Sequence, residues 1–533
     1  MAKCYLKKTI LFSIKGVCIN IMEKLLFTNV MLYDGTGRTP FMADVAVQDD
    51  RIAAVAECGT LNKTGAQIID GKGLALTPGF VDVHTHSDSS AARVPGGDSK
   101  ISQGVTTDIS GNCGFSFYLT GAKDAEDVFK GTWCNFGAYA DAIEKSCPAV
   151  NVVHLCGHNS LRVRVMGYEE RNATKEELRQ MKELLAEALE HGAGGFSGGP
   201  YYLPGKFAPT EELKELASLL KGTGKPYATH IRNEASTLLE ALDEAFEIAR
   251  AGDNNLEISH LKTSGEKNWC KLDAVFEKIE KARAEGMNVL ADRYPYIHSS
   301  TGLRQIVPPP FDTVDTMTLC GKLKESAAYR QELLAAMKKG LERNPARTLL
   351  VSSPFEEHKK YRGMSMVEIG NLMGCSGEEA VVNLLAAGNT PWAAFGTMNE
   401  ENLEKILAKP YVITGSDGNI RAFDDNTTHP RAFGTCPLFF RIAARNCDYA
   451  SIIRRMTALP AAKFNLEGRG IVAPGYFADL VLLDLDKFDS KADYAVPNRR
   501  AEGVTAVYVN GKLAYSPDEE IKTTRAGRML KIK

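Results

Sequence analysis

Between residues 174 and 260 the chain alternates amphipathic helices with short apolar runs, without an internal sequence repeat. Thr174-x-x-Glu177 reads as a capping box, with Leu178, Met181, Leu185 and Leu189 on one stripe and Gly192 just past the end. Thr210 caps a second helix carrying Leu213, Leu216 and Leu220, and Gly222 closes it. Leu238, Leu242, Phe246 and Ala249 mark a third. Strand-like runs follow each: Gly194 to Ser197, Pro226 to His230 and Leu256 to His260. Parallel strands need crossovers of this kind, so the alternation predicts a parallel α/β barrel.

Eight strand candidates end near His86, Cys113, His158, Ser197, His230, His260, Tyr294 and Asp417. After the seventh the pattern breaks at Pro308-Pro309-Pro310, which predicts an inserted subdomain over 300–351. Residues 22–76 and 467–533 read differently, as short strands separated by turn residues; Val504 to Val509 followed by Asn510-Gly511 predicts a type I′ hairpin. The expected fold is therefore a TIM-like (β/α)8 barrel over 77–466, with a small β-sandwich built from both ends of the chain. Residues 1–21 are basic and interrupted by Lys15, which reads as an extension ahead of a structured start at Met22 rather than a signal peptide.

In a parallel barrel all strand C-termini converge on one face, where chemistry is done. His84 and His86 lie two residues apart, so both imidazoles point the same way from a strand. Cys113, His230, His260 and Asp417 occupy other strand ends. Soft sulfur, imidazole nitrogen and one carboxylate on a single rim form a zinc-type donor set. A net charge of −2 gives no basic field for nucleic acid. No apolar run reaches the roughly 18 residues needed for a membrane span. The twelve cysteines show no paired framework, which fits a reducing, cytoplasmic setting.

Thr77-Pro78-Gly79-Phe80-Val81-Asp82-x-His84-x-His86, with His230, His260 and Asp417 on later strand ends, resembles the amidohydrolase superfamily. Within it the chain is most similar to the D-aminoacylases, the N-acyl-D-amino-acid deacylases, over roughly residues 23–515. The telling segment is Gly111-Asn112-Cys113-Gly114-Phe115-Ser116, because this group uses a second-strand cysteine where many relatives place a carboxylated lysine on the fourth. Further matches are Gly157-His158-x-x-x-Arg162, Tyr202-x-Pro204-Gly205, His260-Leu261-Lys262, Tyr294-Pro295-Tyr296 and His429-Pro430-Arg431.

The resemblance implies zinc-dependent hydrolysis of small N-acyl-D-amino acids. Cys113, His230 and His260 would hold the tight zinc. His84, His86 and Asp417 would form a weaker second position that Cys113 bridges. Asp417 would be the general base. Lys262, Tyr294, Ser300 and Arg431 would receive the substrate carboxylate. Two other functions compete: hydrolysis of cyclic amides or small dipeptides, as in dihydroorotase- or hydantoinase-like relatives, and a non-catalytic binding role. Two segments depart from the family pattern. Ser197 to Tyr202 replaces a Thr-Gly-Leu run, and the stretch from Asn419 to Thr428 is longer and carries Asp424-Asp425, read as solvated.

Overall fold

The computed structural model describes residues 13–14, 17–18, 24–120, 135–314, 316–339, 343–388, 391–424, 428–518 and 521–533. Apart from the paired residues 13–14 and 17–18, the expected extension over 1–21 lies outside the described residues, as does Met22.

Eight parallel strands form the barrel in chain order. They are Phe80–Asp82, Val105–Ser110, Asn151–His154 continued by Cys156–Gly157, Phe196–Gly198, Tyr227–Thr229, Asn255–Ile258, Asn288–Arg293 and Val412–Thr414. The ring closes where the Val83 N–H donates to the Thr414 carbonyl at 3.2 Å and Thr85 bridges Gly418. Each expected strand-end residue sits within a few positions of an observed end, beyond it in all but the fourth, where Ser197 is the central residue of its strand.

The helices arise as their sequences dictate. Lys175–Glu190 begins at a complete Thr174/Glu177 capping box and buries Met181, Leu185 and Leu189, while Leu178 is half-buried. Each fully buried leucine of this kind contributes roughly 1.5–3 kcal/mol. Thr210 is not the cap of the next helix. Pro209 precedes Thr210–Ala217 without a side-chain cap, and the Thr210 hydroxyl instead donates to Glu244 at 2.8 Å.

The two ends of the chain meet in one eight-stranded sheet. Leu480–Leu483 pairs antiparallel with Ala75–Pro78, the strand that leads directly into the barrel. Phe27, Val45, Leu76 and Leu480 lie at the centre of its core. Val504–Val509 and Lys512–Tyr515 form the expected hairpin, with Asn510 at φ 48° and Gly511 at φ 75°, as a type I′ turn requires. The last residues do not join this sheet. The Arg528 carbonyl accepts from the Val152 N–H and the Leu530 N–H donates to the Val152 carbonyl, both at 2.8 Å, so the tail runs beside the third barrel strand.

The excursion after the seventh strand is longer than the expected 300–351. Ser299–Gly302, Thr348–Ser352 and Trp392–Phe395 make an antiparallel sheet, and helices Thr316–Glu325, Ala327–Lys338, Met366–Met373 and Gly377–Ala386 pack around it. A separate core from Leu303 to Phe395 unites them. The triple proline at 308–310 lies just inside this unit; its return strand pairs with residues nearly a hundred positions earlier, which no local signal reveals.

Candidate metal centre and active site

The six rim residues meet. Cys113 Sγ lies 3.3 Å from His84 Nε2, 3.5 Å from His260 Nε2 and 3.8 Å from His230 Nδ1. His230 Nδ1 and His260 Nε2 are 2.9 Å apart. Asp417 Oδ1 stands 3.1 Å from His86 Nε2 and 3.8 Å from His84 Nε2. The donor atoms of Cys113, His230 and His260 all lie within 4.8 Å of one another, as do those of His84, His86 and Cys113. One sulfur and two imidazole nitrogens, all buried and converging, fit a zinc ion. His84, His86 and Asp417 face them across the same sulfur.

Three of these residues hold left-handed backbone: Cys113 at φ 54°, His260 at 37° and Asp417 at 51°. Each such position costs on the order of 1–3 kcal/mol and survives only where its surroundings impose it. For Cys113 the surroundings are visible. A Cβ on Gly199 would overlap the Cys113 carbonyl, and one on Gly157 would overlap Gly114. Ser197, on the fourth strand, donates to the Gly111 carbonyl at 2.5 Å and accepts from the Gly114 N–H at 3.2 Å. The strand that carries no lysine here buttresses the cysteine turn instead. This accounts for Ser197-Gly198-Gly199 where a larger residue would not fit.

Charges around the cluster are matched in pairs. Burial pushes the Cys113 thiol up, but His84 and the contacts with His230 and His260 hold it well below its ordinary value. Burial lowers His84, yet Asp292, 2.8 Å from Nδ1, and Cys113 raise it well above the usual histidine range. Desolvation likewise opposes His86, and the hydrogen bond to Asp417 lifts it to about 9. Burial alone would raise Asp417; Arg431, with Nη1 at 2.7 Å from Oδ2, and His86 hold it well below the usual carboxylate range.

The residues expected to receive a carboxylate divide into two groups. Arg431 also sits 5.0 Å from the Tyr294 ring and donates to the Ser300 carbonyl at 3.4 Å. The Tyr294 hydroxyl is buried without a partner among the described residues. Lys262 lies on the other side, 2.7 Å from His260 Nδ1 and paired with Glu234. His158 does not join the cluster: it contacts Glu212 at 2.8 Å, a carboxylate that Arg162 also holds.

Sequence reasoning missed the residues behind the ligands. Asp292 orients His84, Glu234 lies 3.0 Å from His260 Nδ1, and the rings of Tyr201 and Tyr202 flank His230 at 4.9 and 4.8 Å. Asp292 was readable as an acid two positions before Tyr294 on a strand. Glu234 lies in a loop, where no periodicity marks it.

Known proteins resemble this chain over most of its length. The Amidohydrolase family matches residues 67–318 and 384–515. A D-aminoacylase of Alcaligenes xylosoxydans xylosoxydans is 34% identical, covering 95% of this chain and 97% of the relative. A D-aminoacylase structure solved to define the role of its binuclear metal centre is 33% identical with a TM-score of 0.78, over 95% of this chain and 99% of the other. The N-acyl-D-glutamate deacylase of Bordetella bronchiseptica, solved with zinc and a phosphonate mimic of the tetrahedral intermediate, is 29% identical with a TM-score of 0.79, over 96% and 99%. With barrel, rim cluster and near full-length matches in agreement, the chain belongs to the amidohydrolase family.

Proposed function

We propose that this protein hydrolyses the amide bond of N-acyl-D-amino acids, releasing a carboxylate and a free D-amino acid. The observation that carries the reading is Cys113: its sulfur lies within 3.8 Å of nitrogens from His84, His230 and His260. Cys113, His230 and His260 would hold the tight zinc, and His84, His86 and Asp417 would hold a weaker second ion. When bound, zinc supplies Lewis-acid activation of water and of the amide carbonyl. Asp417 takes the proton of the attacking water and returns it to the departing amine, without which an amide nitrogen leaves poorly. Arg431, Tyr294 and Ser300 receive the α-carboxylate from one side and Lys262 from the other. Arg431 pairs with Asp417 in the free protein, so substrate capture by Arg431 frees the base.

The preference for D substrates rests on the relatives, since nothing in the cluster itself distinguishes hands. The barrel, the insertion and the sheet built from both ends of the chain are read as three domains, with the expected β-sandwich reduced to one eight-stranded sheet and the last residues of the expected 467–533 segment lying against the barrel instead. Among the described residues no helix is long and apolar enough to cross a membrane. Eight described cysteines are free, Cys113, Cys156, Cys320 and Cys436 being buried, while Cys147 is disulfide-bonded. The free thiols fit the expected reducing, cytoplasmic setting, whereas the Cys147 disulfide stands against it. The test is a rate panel on zinc-loaded protein with matched N-acetyl-D- and N-acetyl-L-amino acids and cyclic amides. Turnover of the D series is expected; hydrolysis confined to cyclic amides would overturn the proposal.

A further inference from the structure

A cleft of about 670 Å³ opens beside Asp417, between the barrel rim and the inserted subdomain. The rim contributes Asp417, Arg421 and Arg431, and the insertion contributes Glu356, Lys359 and Arg362. Two of these four cations are already engaged. Arg431 holds Asp417 at 2.7 Å, and Lys359 holds Glu356 at 2.5 Å. The guanidinium groups of Arg421 and Arg362 make no hydrogen bond or ion pair among the described residues.

Arg421 is the more constrained of the two. Its backbone is pinned: the N–H donates to Ser99 Oγ and the carbonyl accepts from the Ser99 N–H, both at 2.9 Å. Its Nε is buried without an acceptor. A desolvated guanidinium left unpaired is costly, and the partner that best relieves it is a planar carboxylate taken through two parallel N–H donors. Asp424, three residues on, is exposed and acts on Arg421 through space.

An N-acyl amino acid with one α-carboxylate needs only the anchors assigned above. Two unpaired guanidiniums further along the same cleft are surplus to that task. We propose that the preferred substrate carries a second carboxylate, received by Arg421 and Arg362 as specificity-determining residues. That carboxylate belongs either to an acidic amino-acid side chain or to a dicarboxylic acyl group; the chemistry recognised is the same. The inference rests on the deacylase reading and names its substrate class.

The test compares kcat/KM of the zinc-loaded enzyme on N-acetyl-D-glutamate, N-succinyl-D-glutamine and the singly charged N-acetyl-D-glutamine. At least one dianionic substrate is expected to exceed N-acetyl-D-glutamine by tenfold or more, and which one it is identifies the limb that enters the cleft. Arg421→Met and Arg362→Met should each lower that ratio by roughly 10- to 100-fold, the range of a charge-assisted hydrogen bond, mainly through KM. Arg421→Lys should fall between wild type and Arg421→Met, and raising ionic strength should narrow the ratio in wild type. The inference is overturned if N-acetyl-D-glutamine is cleaved as well as both dianions, or if both Met variants leave the ratio within twofold. Turnover confined to N-acetyl-D-amino acids with uncharged side chains overturns it while the deacylase reading stands. Loss of turnover on every N-acyl-D-amino acid overturns both.

Discussion

Glu234→Gln isolates a competition for one nitrogen. His260 must present a free Nε2 lone pair toward Cys113 and zinc, which requires the proton to sit on Nδ1. Glu234 Oε1, 3.0 Å from Nδ1, accepts that proton and enforces the ligating tautomer. Lys262 Nζ, 2.7 Å from the same Nδ1, has only protons to offer, so it favours the opposite tautomer with Nε2 blocked. Burial opposes charge on Glu234, but Lys262 holds the carboxyl well below its ordinary range, so in the wild type the acceptor is fully charged. The neutral amide that replaces it accepts more weakly and no longer occupies the ammonium. Removing such a supporting carboxylate typically costs 10- to 100-fold in metal affinity, about 1.4–2.7 kcal/mol. The assay is competitive zinc titration of chelator-stripped protein against a chromophoric chelator. Glu234→Gln should weaken tight-site zinc by that factor, and adding Lys262→Met should recover part of it by removing the competing donor. Wild-type affinity in the single variant would refute the tautomer argument; a double variant no tighter than the single would show that Lys262 does not compete.

Asp417→Asn should retain tight zinc and lose turnover by about 10²- to 10⁴-fold, read by parallel metal analysis and steady-state kinetics; near-normal turnover removes Asp417 as the base. Cys113→Ser should weaken zinc by on the order of 100-fold or more, because a thiolate ligand is replaced by a neutral hydroxyl; unchanged affinity refutes the ligand assignment. Glu212→Gln tests the outer face of the barrel. Burial raises the Glu212 carboxyl, but His158 and Arg162 bring it below its ordinary value of 4.5. A depressed folded pKa means the carboxylate stabilises the fold above that ordinary value and loses this contribution as pH falls through the folded pKa. Urea unfolding in chelator should therefore show a deficit of about 3 kcal/mol at pH 7 that shrinks below pH ~4.5; a deficit constant with pH would contradict the ion-pair account.

Much of the rim was legible because barrel geometry turns sequence position into spatial position. His84, Cys113, His230, His260 and Asp417 each follow an apolar run, and closing the ring brings every such position to one face. Other parts were hidden because their partners are distant. The insertion strand Ser299–Gly302 pairs with Trp392–Phe395, and the C-terminal tail lies against Val152; neither carries a periodicity that names its partner. Thr210 resembled a helix cap because threonine is common there, but Glu244 offered its hydroxyl an acceptor across the helix pair.

The same distinction separates the ligands from what positions them. A ligand is recognisable by type, since few roles other than metal binding call for sulfur and imidazole on adjacent strand ends. A positioning carboxylate is an ordinary acid until its neighbour is known. Asp292 belongs to strand seven yet its function is to fix His84 on strand one, and Glu234 follows strand five yet serves His260 after strand six. Asp292 couples strands that only ring closure brings together, and Glu234 couples two strands paired side by side. The left-handed backbone at Cys113, His260 and Asp417 has the same origin: their side chains reach a common centre only if the strand end turns sharply, and the surrounding ring supplies the packing that holds the turn. The metal set is thus written in residue identity, whereas its protonation state and precision are properties of the closed barrel.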